Sequence, residues 1–325
     1  MKLTPQTALL AASLLTAASL TACAGGTAPA GSTGAQPKLT FIQGVAGDEF
    51  YVSMQCGINA AAKTAGATIN TQGPAKFDPT LQKPIVDSVV ASRPDAILIA
   101  PTDVAAMQAP LKAAAAAGIK VVLVDTTVQD PAFAASSIAS DNKGGGLEAF
   151  KAIKNLNPAG GKVLVISTDP GVSTADARVA GFEEGAKADA SFEYLGVQYS
   201  HNDPAEAAKL VSAALAKDPD IVGVFAANTF AAEGTATGIR QAGKQNQVKI
   251  VGFDAGPAQV KQLKEGVVQA LIAQEPASIG TQGVEQALKA IKGESTTKEI
   301  QTGFKQITAE NLSGVGAQYV YKSSC

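Results

Sequence analysis

Short β-branched segments alternate with longer alanine-rich segments from residue 38 to about residue 292. Segments of the first kind are typical of buried strands, and those of the second kind have the apolar spacing of helices. Strands that alternate with helices are typical of βα units, which build parallel sheets. This alternation constrains the chain more than any other feature and predicts an α/β fold.

The predicted strands are short and apolar: LTFIQG, ATINTQ, DAILIAP, KVVLVD, KVLVIS, EYLGVQYS, IVGVFAAN, KIVGFD and VQALIAQ. The predicted helices span residues 51–65, 79–92, 104–117, 143–155, 175–188, 204–216, 230–242, 256–265 and 277–292. A glycine follows several of these helices, as expected where a left-handed residue ends a helix: Gly66, Gly118, Gly243 and Gly266.

Two parts of the chain repeat each other in outline. The segment AGIKVVLVDTT is echoed by NQVKIVGFDAG, each the fourth strand of its own set, and ILIAPTDVAAM is echoed by GVFAANTFAAEG one unit earlier. We therefore expect two similar lobes, with chain crossings near residues 274–276, Asp141 and Gly303. The expected division is 38–141 plus 275–303 for the first lobe, 142–274 plus 304–310 for the second, and 311–325 for a tail.

The beginning of the chain has the three regions of an export signal. A single cation, Lys2, precedes an apolar stretch that is too short for a membrane helix, and LTAC ends at Cys23. LTAC resembles the lipobox of bacterial lipoproteins, which implies cleavage before Cys23 and a lipid anchor on its sulfur. An ordinary signal peptide cleaved after an A-x-A site is the alternative. Residues 24–37 are rich in small residues, Gly and Pro, and are expected to form a flexible tether.

Charge and cysteine content narrow the class of partner. The chain has 26 Lys and Arg against 28 Asp and Glu, and no basic run, which argues against a nucleic-acid partner. A small neutral ligand fits this balance better.

Export would place Cys56 and Cys325 in an oxidising compartment, where they can pair, although two free thiols are the alternative.

A carboxylate ends the matching strand of each predicted lobe, Asp125 in the first and Asp254 in the second. Open parallel sheets bind ligands at the carboxyl ends of their strands, so a cleft between facing lobes would collect both. Buried carboxylates need donors, and sugar hydroxyls are suitable. The alternative is an acid and nucleophile pair of a glycosidase. Sequence motifs of zinc hydrolases, redox dithiols and nucleophile elbows are absent, and we expect no metal or cofactor.

Residues from Lys38 to about Thr308 resemble the bacterial periplasmic sugar-binding proteins of the ribose-binding type, the solute receptors of ABC importers. The resemblance is carried by GDEFYVSMQCGINAAAKTAG, ILIAPTD, KVVLVDTT, IASDNKGGG, VFAANT, KIVGFDAGP and LIAQEPASIG, in this order. It implies two Rossmann-like, doubly wound parallel-sheet lobes joined by a three-crossover hinge, the type I periplasmic binding protein fold. It also implies a monomer that closes on a monosaccharide or polyol, delivers it to permease subunits and is in some cases read by a chemoreceptor. Inducer-binding cores of lac-repressor-like regulators share the fold, but they need a helix-turn-helix that this chain replaces with a signal and a tether.

The resemblance also implies a set of ligand contacts. Aromatic rings would cover the apolar face of a sugar ring, and amides and carboxylates would bond its hydroxyls. The expected contacts are Asp48, Phe50, Tyr51, Asp125, Thr126, Asp176, Arg178, Asn202, Asn228, Asp254 and Gln274.

Three positions depart from the ribose receptors. Those receptors have Arg after the strand-end Asp, where this chain has Thr126, and Arg where it has Asp176, with Arg178 two residues later. They also have an aromatic residue near Asn202. Fewer cationic donors predict that the site does not hold ribose in the same pose, and another pentose, a branched sugar, a hexose or a polyol are all open. Thr126 is the position where we expect ligand choice to be set. The lone histidine, His201, is expected on the surface.

Overall fold

The computed structural model describes residues 36–325, so the predicted signal, Cys23 and nearly all of the tether lie outside it. The elements up to the first crossing are β1 (Lys38–Ile42), α1 (Glu49–Thr64), β2 (Thr68–Gln72), α2 (Pro79–Ser92), β3 (Ala96–Ile99), α3 (Gln108–Ala116), β4 (Lys120–Val124) and β5 (Ser136–Ser140). The next are α4 (Asn142–Leu156), β6 (Gly161–Ser167), α5 (Ser173–Lys187), β7 (Phe192–Tyr199), α6 (Pro204–Lys217), β8 (Ile221–Ala226), α7 (Thr229–Gln241), β9 (Lys249–Phe253), α8 (Pro257–Lys264) and β10 (Ala270–Gln274). The chain continues with α9 (Pro276–Lys292), β11 (Glu299–Thr302) and β12 (Phe304–Ile307).

The strands form two sheets with the same internal order. The first sheet has the order β11-β5-β4-β3-β1-β2, and the second has β12-β10-β9-β8-β6-β7. All pairs are parallel except that of β10 with β12. Each sheet therefore reverses its strand order beside its first strand, and open sheets of this kind bind ligands at the carboxyl edge there.

The chain passes between the sheets three times. It leaves the first sheet after β5, returns after β10 to α9, which packs against α1 and β4, and leaves again between β11 and β12 at Gly303. The predicted α/β class, with two doubly wound lobes and three crossovers, is confirmed.

The cores form because the central strands are buried on both faces. Parallel strands covered by helices on both sides consist of nearly continuous apolar runs, as AILI in β3 and KVVLV in β4 do. Phe41, Phe225 and Phe253 are fully buried side chains of the central strands. This packing makes the strand ends a rigid edge from which polar side chains can project.

Several elements differ from the predictions. Strands β5, β11 and β12 were not predicted, because segments such as SSIAS lack the β-branched run used to recognise a strand. Helix α3 begins at Gln108 rather than at residue 104. The cause is local: the Asp103 carboxylate accepts the N–H groups of Ala105 and Ala106 and holds a turn there.

Two glycines allow the helices α4 and α5 to pack in direct contact. A Cβ atom at Gly146 of α4 would overlap the carbonyl of Arg178 on α5, and one at Gly181 would overlap the carbonyl of Lys143. The backbones of α4 and α5 therefore pack directly against each other. Across residues 36–325, we find no helix with the length and hydropathy of a membrane span.

Candidate functional site

Asp125 and Asp254 occupy equivalent and unusual backbone positions. Both lie in the left-handed region, with φ of 65° and 77°. The N–H of Asp125 donates to Ile138 O and that of Asp254 to Ile272 O, both at 2.8 Å. Non-glycine residues adopt this conformation at a cost, and such residues cluster at functional sites. The repeat seen in the sequence is thus a repeat in geometry.

One small cavity of about 50 Å³ brings together residues from both lobes. Nine of the eleven predicted contacts line it: Asp48, Phe50, Tyr51, Asp125, Arg178, Asn202, Asn228, Asp254 and Gln274.

The first-lobe wall is built by the start of α1. Asp48 is its N-cap and accepts the N–H of Phe50 at 2.9 Å. This cap fixes the first helical turn, so that the Tyr51 hydroxyl reaches Asp125 and donates to Oδ2 at 2.8 Å. The Phe50 and Tyr51 rings meet edge to face, with centroids 5.2 Å apart. One helix start therefore supplies a carboxylate and two aromatic rings.

Arg178 is the cation of the site. Its Nε donates to Asn142 Oδ1 and its Nη1 to the carbonyl of Ala227, each at 2.8 Å. The guanidinium lies 3.8 Å from the ring centroid of Phe253 and 4.0 Å from the Asp254 carboxylate. These contacts hold a buried charge in one orientation, with donors left for the cavity.

Asp254 lies in a network of neutral donors. Its Oδ1 accepts from Gln274 Nε2 at 2.7 Å and from the Tyr321 hydroxyl at 3.0 Å. Within the described residues, the buried atoms Gln274 Oε1 and Thr168 Oγ1 have no hydrogen-bond partner. Buried polar atoms without partners are costly, and both residues line the cavity, where a ligand hydroxyl would satisfy them.

The two asparagines form the remaining polar wall. Asn228 Oδ1 accepts the N–H of Ala231 as the N-cap of α7, and its Nδ2 donates to Asn202 Oδ1. Asn228 is therefore both a helix cap and a cavity residue. The Asn202 amide nitrogen remains as a donor.

Burial weakens the acidity of two carboxyls here. It raises the pKa of Asp125 to about 6, although Arg178 opposes the change. Burial, followed by the charge of Asp254, raises the pKa of Asp48 to about 7. Burial and the neighbouring Asp125 charge also keep the pKa of Tyr51 well above its usual range, so it remains a donor. Three carboxyls face one guanidinium, a composition that disfavours an anionic ligand.

Two predicted contacts lie outside the cavity. The Thr126 hydroxyl is buried and donates to the carbonyl of Pro101 at 2.7 Å. The Asp176 side chain is exposed and accepts the N–H of Gly171 at 2.9 Å. Neither side chain lines the cavity, where we expected both to contact the sugar. Each is hydrogen-bonded to a backbone group instead. His201 is exposed, as expected, and pairs with Asp169.

Five further residues that were not predicted from the sequence line the cavity: Phe77, Thr168, Val172, Thr174 and Ala175. Thr168 directly follows β6, so the strand-end argument applied to Asp125 also covers it. Tyr321 was not predicted because residues 311–325 were expected to form a tail outside both lobes. It is buried behind Asp254.

The lobes also touch at the mouth of the cleft. The N–H of Val104 donates to Gly171 O, and that of Thr127 donates to Ser173 Oγ, both at 3.0 Å. These bonds join the two lobes on the side where the chain does not cross. Among the described residues, no group of three His, Cys, Asp or Glu side chains is arranged to hold a metal ion.

Comparison with known proteins identifies the family. Residues 39–295 match the model of the periplasmic binding protein domain. The chain belongs to the periplasmic binding protein family. Within it, the resemblance to the ribose-binding type is confirmed. The ribose import binding protein of Bacillus subtilis is 30% identical over 79% of this chain and 82% of its own length.

Solved structures of this family include near relatives in shape. An ABC transporter solute-binding protein from Agrobacterium vitis, bound with α-D-tagatopyranose, is 40% identical with a TM-score of 0.86. A second, from the same organism and with bound D-fucose, is 31% identical with a TM-score of 0.83. Each alignment covers 88% of this chain and 100% of the solved chain. Membership in a family of binding proteins removes the basis for treating Asp125 and Asp254 as a glycosidase pair.

Proposed function

We propose that this protein is the extracytoplasmic solute-binding component of an ABC importer and captures a neutral monosaccharide between its lobes. The observation that carries the proposal is the cavity in which Asp48, Asp125 and Asp254 face the rings of Phe50 and Tyr51. Carboxylates accept from hydroxyls, and aromatic rings cover the C–H face of a sugar. The protein opens at its hinge, a sugar enters, and closure buries it.

The size and charge of the cavity limit the ligand class. The cavity is small and is lined by residues of both lobes, which favours a single sugar ring over an oligosaccharide. Three carboxyls against one guanidinium disfavour uronic acids and sugar phosphates, because an added anion would be buried without sufficient cations. The ligands of the Agrobacterium vitis proteins make D-tagatose and D-fucose the first candidates, followed by D-ribose from the import protein of Bacillus subtilis.

A ligand screen tests this proposal. The mature protein is heated with D-tagatose, D-fucose, D-ribose and other monosaccharides and polyols, with D-galacturonate and D-ribose 5-phosphate as negative controls. A ligand that binds only the folded state raises the melting temperature. We expect at least one neutral sugar to raise it and neither anion to do so. A response to none of the neutral compounds would contradict the proposal.

Substitutions test the proposed contacts. Removing a hydrogen bond to a charged group costs roughly 1.5–3 kcal/mol, so Asp125→Ala and Asp254→Ala should each weaken binding by about 10- to 150-fold. Asp176→Ala is the matched control, because this exposed carboxylate lies near the site but outside the cavity. Calorimetry should give the control near-native affinity. Near-native affinity in both Asp125→Ala and Asp254→Ala would refute the assignment.

We further propose that the chain is exported and held at the membrane by a lipid on Cys23. Support comes from the LTAC segment and from the family, whose members act outside the cytoplasm. Intact-mass measurement of membrane-extracted protein should show a mature chain that begins at Cys23 with an added diacylglyceryl group. The Cys56–Cys325 bond belongs to the same proposal, and free-thiol titration with and without reductant measures it.

We propose a monomer that delivers its sugar to permease subunits and is read by a chemoreceptor where the cell has one. The proposed lobes are residues 38–141 plus 275–303 and residues 142–274 plus 304–310, with 311–325 as a tail. Analytical ultracentrifugation with and without sugar measures the molecular mass and so tests whether the protein is a monomer.

A further inference from the structure

The C-terminal segment, residues 317–325, lies against the hinge side of the ligand site. Tyr321 is buried, with 4% of its surface exposed. Its hydroxyl accepts the N–H of Gln274 at 3.0 Å and donates to Asp254 Oδ1 at 3.0 Å. Its own N–H donates to the carbonyl of Ala255 at 3.0 Å. The segment thus contacts the ends of β9 and β10 in the second sheet.

The same segment is joined to α1, which packs on the first sheet. The N–H of Lys322 donates to Ser53 Oγ at 2.7 Å, and Cys325 forms a disulfide with Cys56, with Cα atoms 5.3 Å apart. The Tyr321 ring lies 5.8 Å from that of Phe50. The C-terminal segment therefore links the lobes at a fourth place, in addition to the three crossovers.

The Tyr321 hydroxyl contacts two cavity residues, Asp254 and Gln274. It does not line the cavity, so it contacts the ligand only through others. Asp254 Oδ1 accepts from both the Tyr321 hydroxyl and Gln274 Nε2, which turns the Gln274 amide so that its Oε1 has no partner among the described residues. Without the tyrosine hydroxyl, the Gln274 backbone N–H loses its acceptor, and Asp254 Oδ1 loses one of its two donors.

We propose that the C-terminal segment is a working part of the sugar site, in which the Cys56–Cys325 disulfide holds Tyr321 in place and Tyr321 orients Asp254 and Gln274 for the ligand. This inference rests on the proposed function. Formation of the disulfide removes two protons and two electrons from the two thiols and transfers them to a disulfide-exchange oxidant, whose own disulfide is reduced to two thiols. Tyr321 is a positioning residue.

The test is a double-mutant cycle measured by calorimetry with the best neutral sugar from the screen. Tyr321→Phe should weaken binding by about 10-fold, the loss of a hydrogen bond to a charged group. In the Asp254→Ala background, which has no side-chain acceptor for the Tyr321 hydroxyl, the same change should cost less than about 2-fold, since coupled residues give non-additive effects. Cys325→Ser should weaken binding and should add little to Tyr321→Phe. Tyr319→Phe, in the same segment, is the matched control and should bind like the parent.

The outcomes separate this inference from the proposed function. If the parent protein binds no neutral sugar, the proposed function fails and this inference fails with it. If the parent binds sugar and Tyr321→Phe binds equally well, only this inference is overturned. Equal penalties for Tyr321→Phe in both backgrounds would also overturn it, because they would show that Tyr321 acts independently of Asp254. Melting temperatures of all variants confirm that each measured sample is folded.

Discussion

The buried carboxyl of Asp48 lines the ligand cavity, and we expect it to lower the stability of the folded protein where it is ionised. Burial and the charge of Asp254 raise its pKa from 3.8 to about 7. The folded state then holds a proton that the unfolded state has lost, so the free energy of unfolding falls as pH rises through this range. The contribution is fully present below pH 3.8 and is lost above about pH 7.

The size of the effect follows from the two pKa values. From pH 5 to the folded-state pKa of about 7, the folded state holds this proton and the unfolded state does not. Over these roughly two pH units the free energy of unfolding falls by about 1.4 kcal/mol per unit, or about 3 kcal/mol in all. Asp48→Asn removes the titration and keeps a good N-cap, because Asn caps helices as well as Asp does. From pH 5 to pH 8, the free energy of unfolding of this variant should therefore decrease by about 3 kcal/mol less than that of the parent.

Urea denaturation at both pH values, without sugar, measures this difference. Asp78→Asn is the control, because Asp78 caps α2 in the same way, with its Oδ1 2.7 Å from the N–H of Thr80, but its pKa is lowered by those hydrogen bonds. Between pH 5 and pH 8, Asp78→Asn should lose as much stability as the parent does. Equal pH dependence in Asp48→Asn and the parent would refute the reasoning. At pH 8 the Asp48→Asn variant should be more stable than the parent and bind sugar more weakly.

Three further predictions follow from single contacts. Ser173→Ala removes the bond from the Thr127 N–H across the cleft mouth and should weaken sugar binding by roughly 3- to 10-fold, seen as faster dissociation in stopped-flow experiments. Gly146→Ala places a methyl group on the Arg178 carbonyl and should lower the free energy of unfolding by about 1–3 kcal/mol in urea. Because burial raises the pKa of Asp125 to about 6, calorimetry should show sugar affinity falling as pH drops below that value, and an unchanged affinity at pH 5 would contradict this.

The sequence predicted the site well where a short-range rule applied. Asp125 and Asp254 could be found because they follow buried strands, and the carboxyl ends of parallel strands share one edge. The same rule did not reveal which way the next side chain points. Thr126 follows a residue with φ of 65°, and this backbone turn sends its hydroxyl to Pro101 instead of the cavity.

Features that depend on distant parts of the chain were not predictable. Strand β5 is short and serine-rich, and it is completed by β11, whose residue Ile300 pairs with Ile138. Its own sequence lacks the apolar pattern of a strand, so the pairing stabilises it. Tyr321 is similar: its neighbours in the sequence do not indicate burial, which comes from contacts with Asp254, Gln274 and the Phe50 ring.

The matched carboxylates are supported in the same way from one helix. Asp125 accepts from the hydroxyl of Tyr51, which is part of α1, and Asp254 accepts from that of Tyr321, which the disulfide and Ser53 hold against α1. The Phe50 ring lies between the two tyrosine rings, 5.2 Å from one and 5.8 Å from the other. A displacement of α1 would therefore move the partners of both carboxylates together. The carboxylates that end β4 and β9, one from each lobe, therefore depend on one helix for the position of their tyrosine donors.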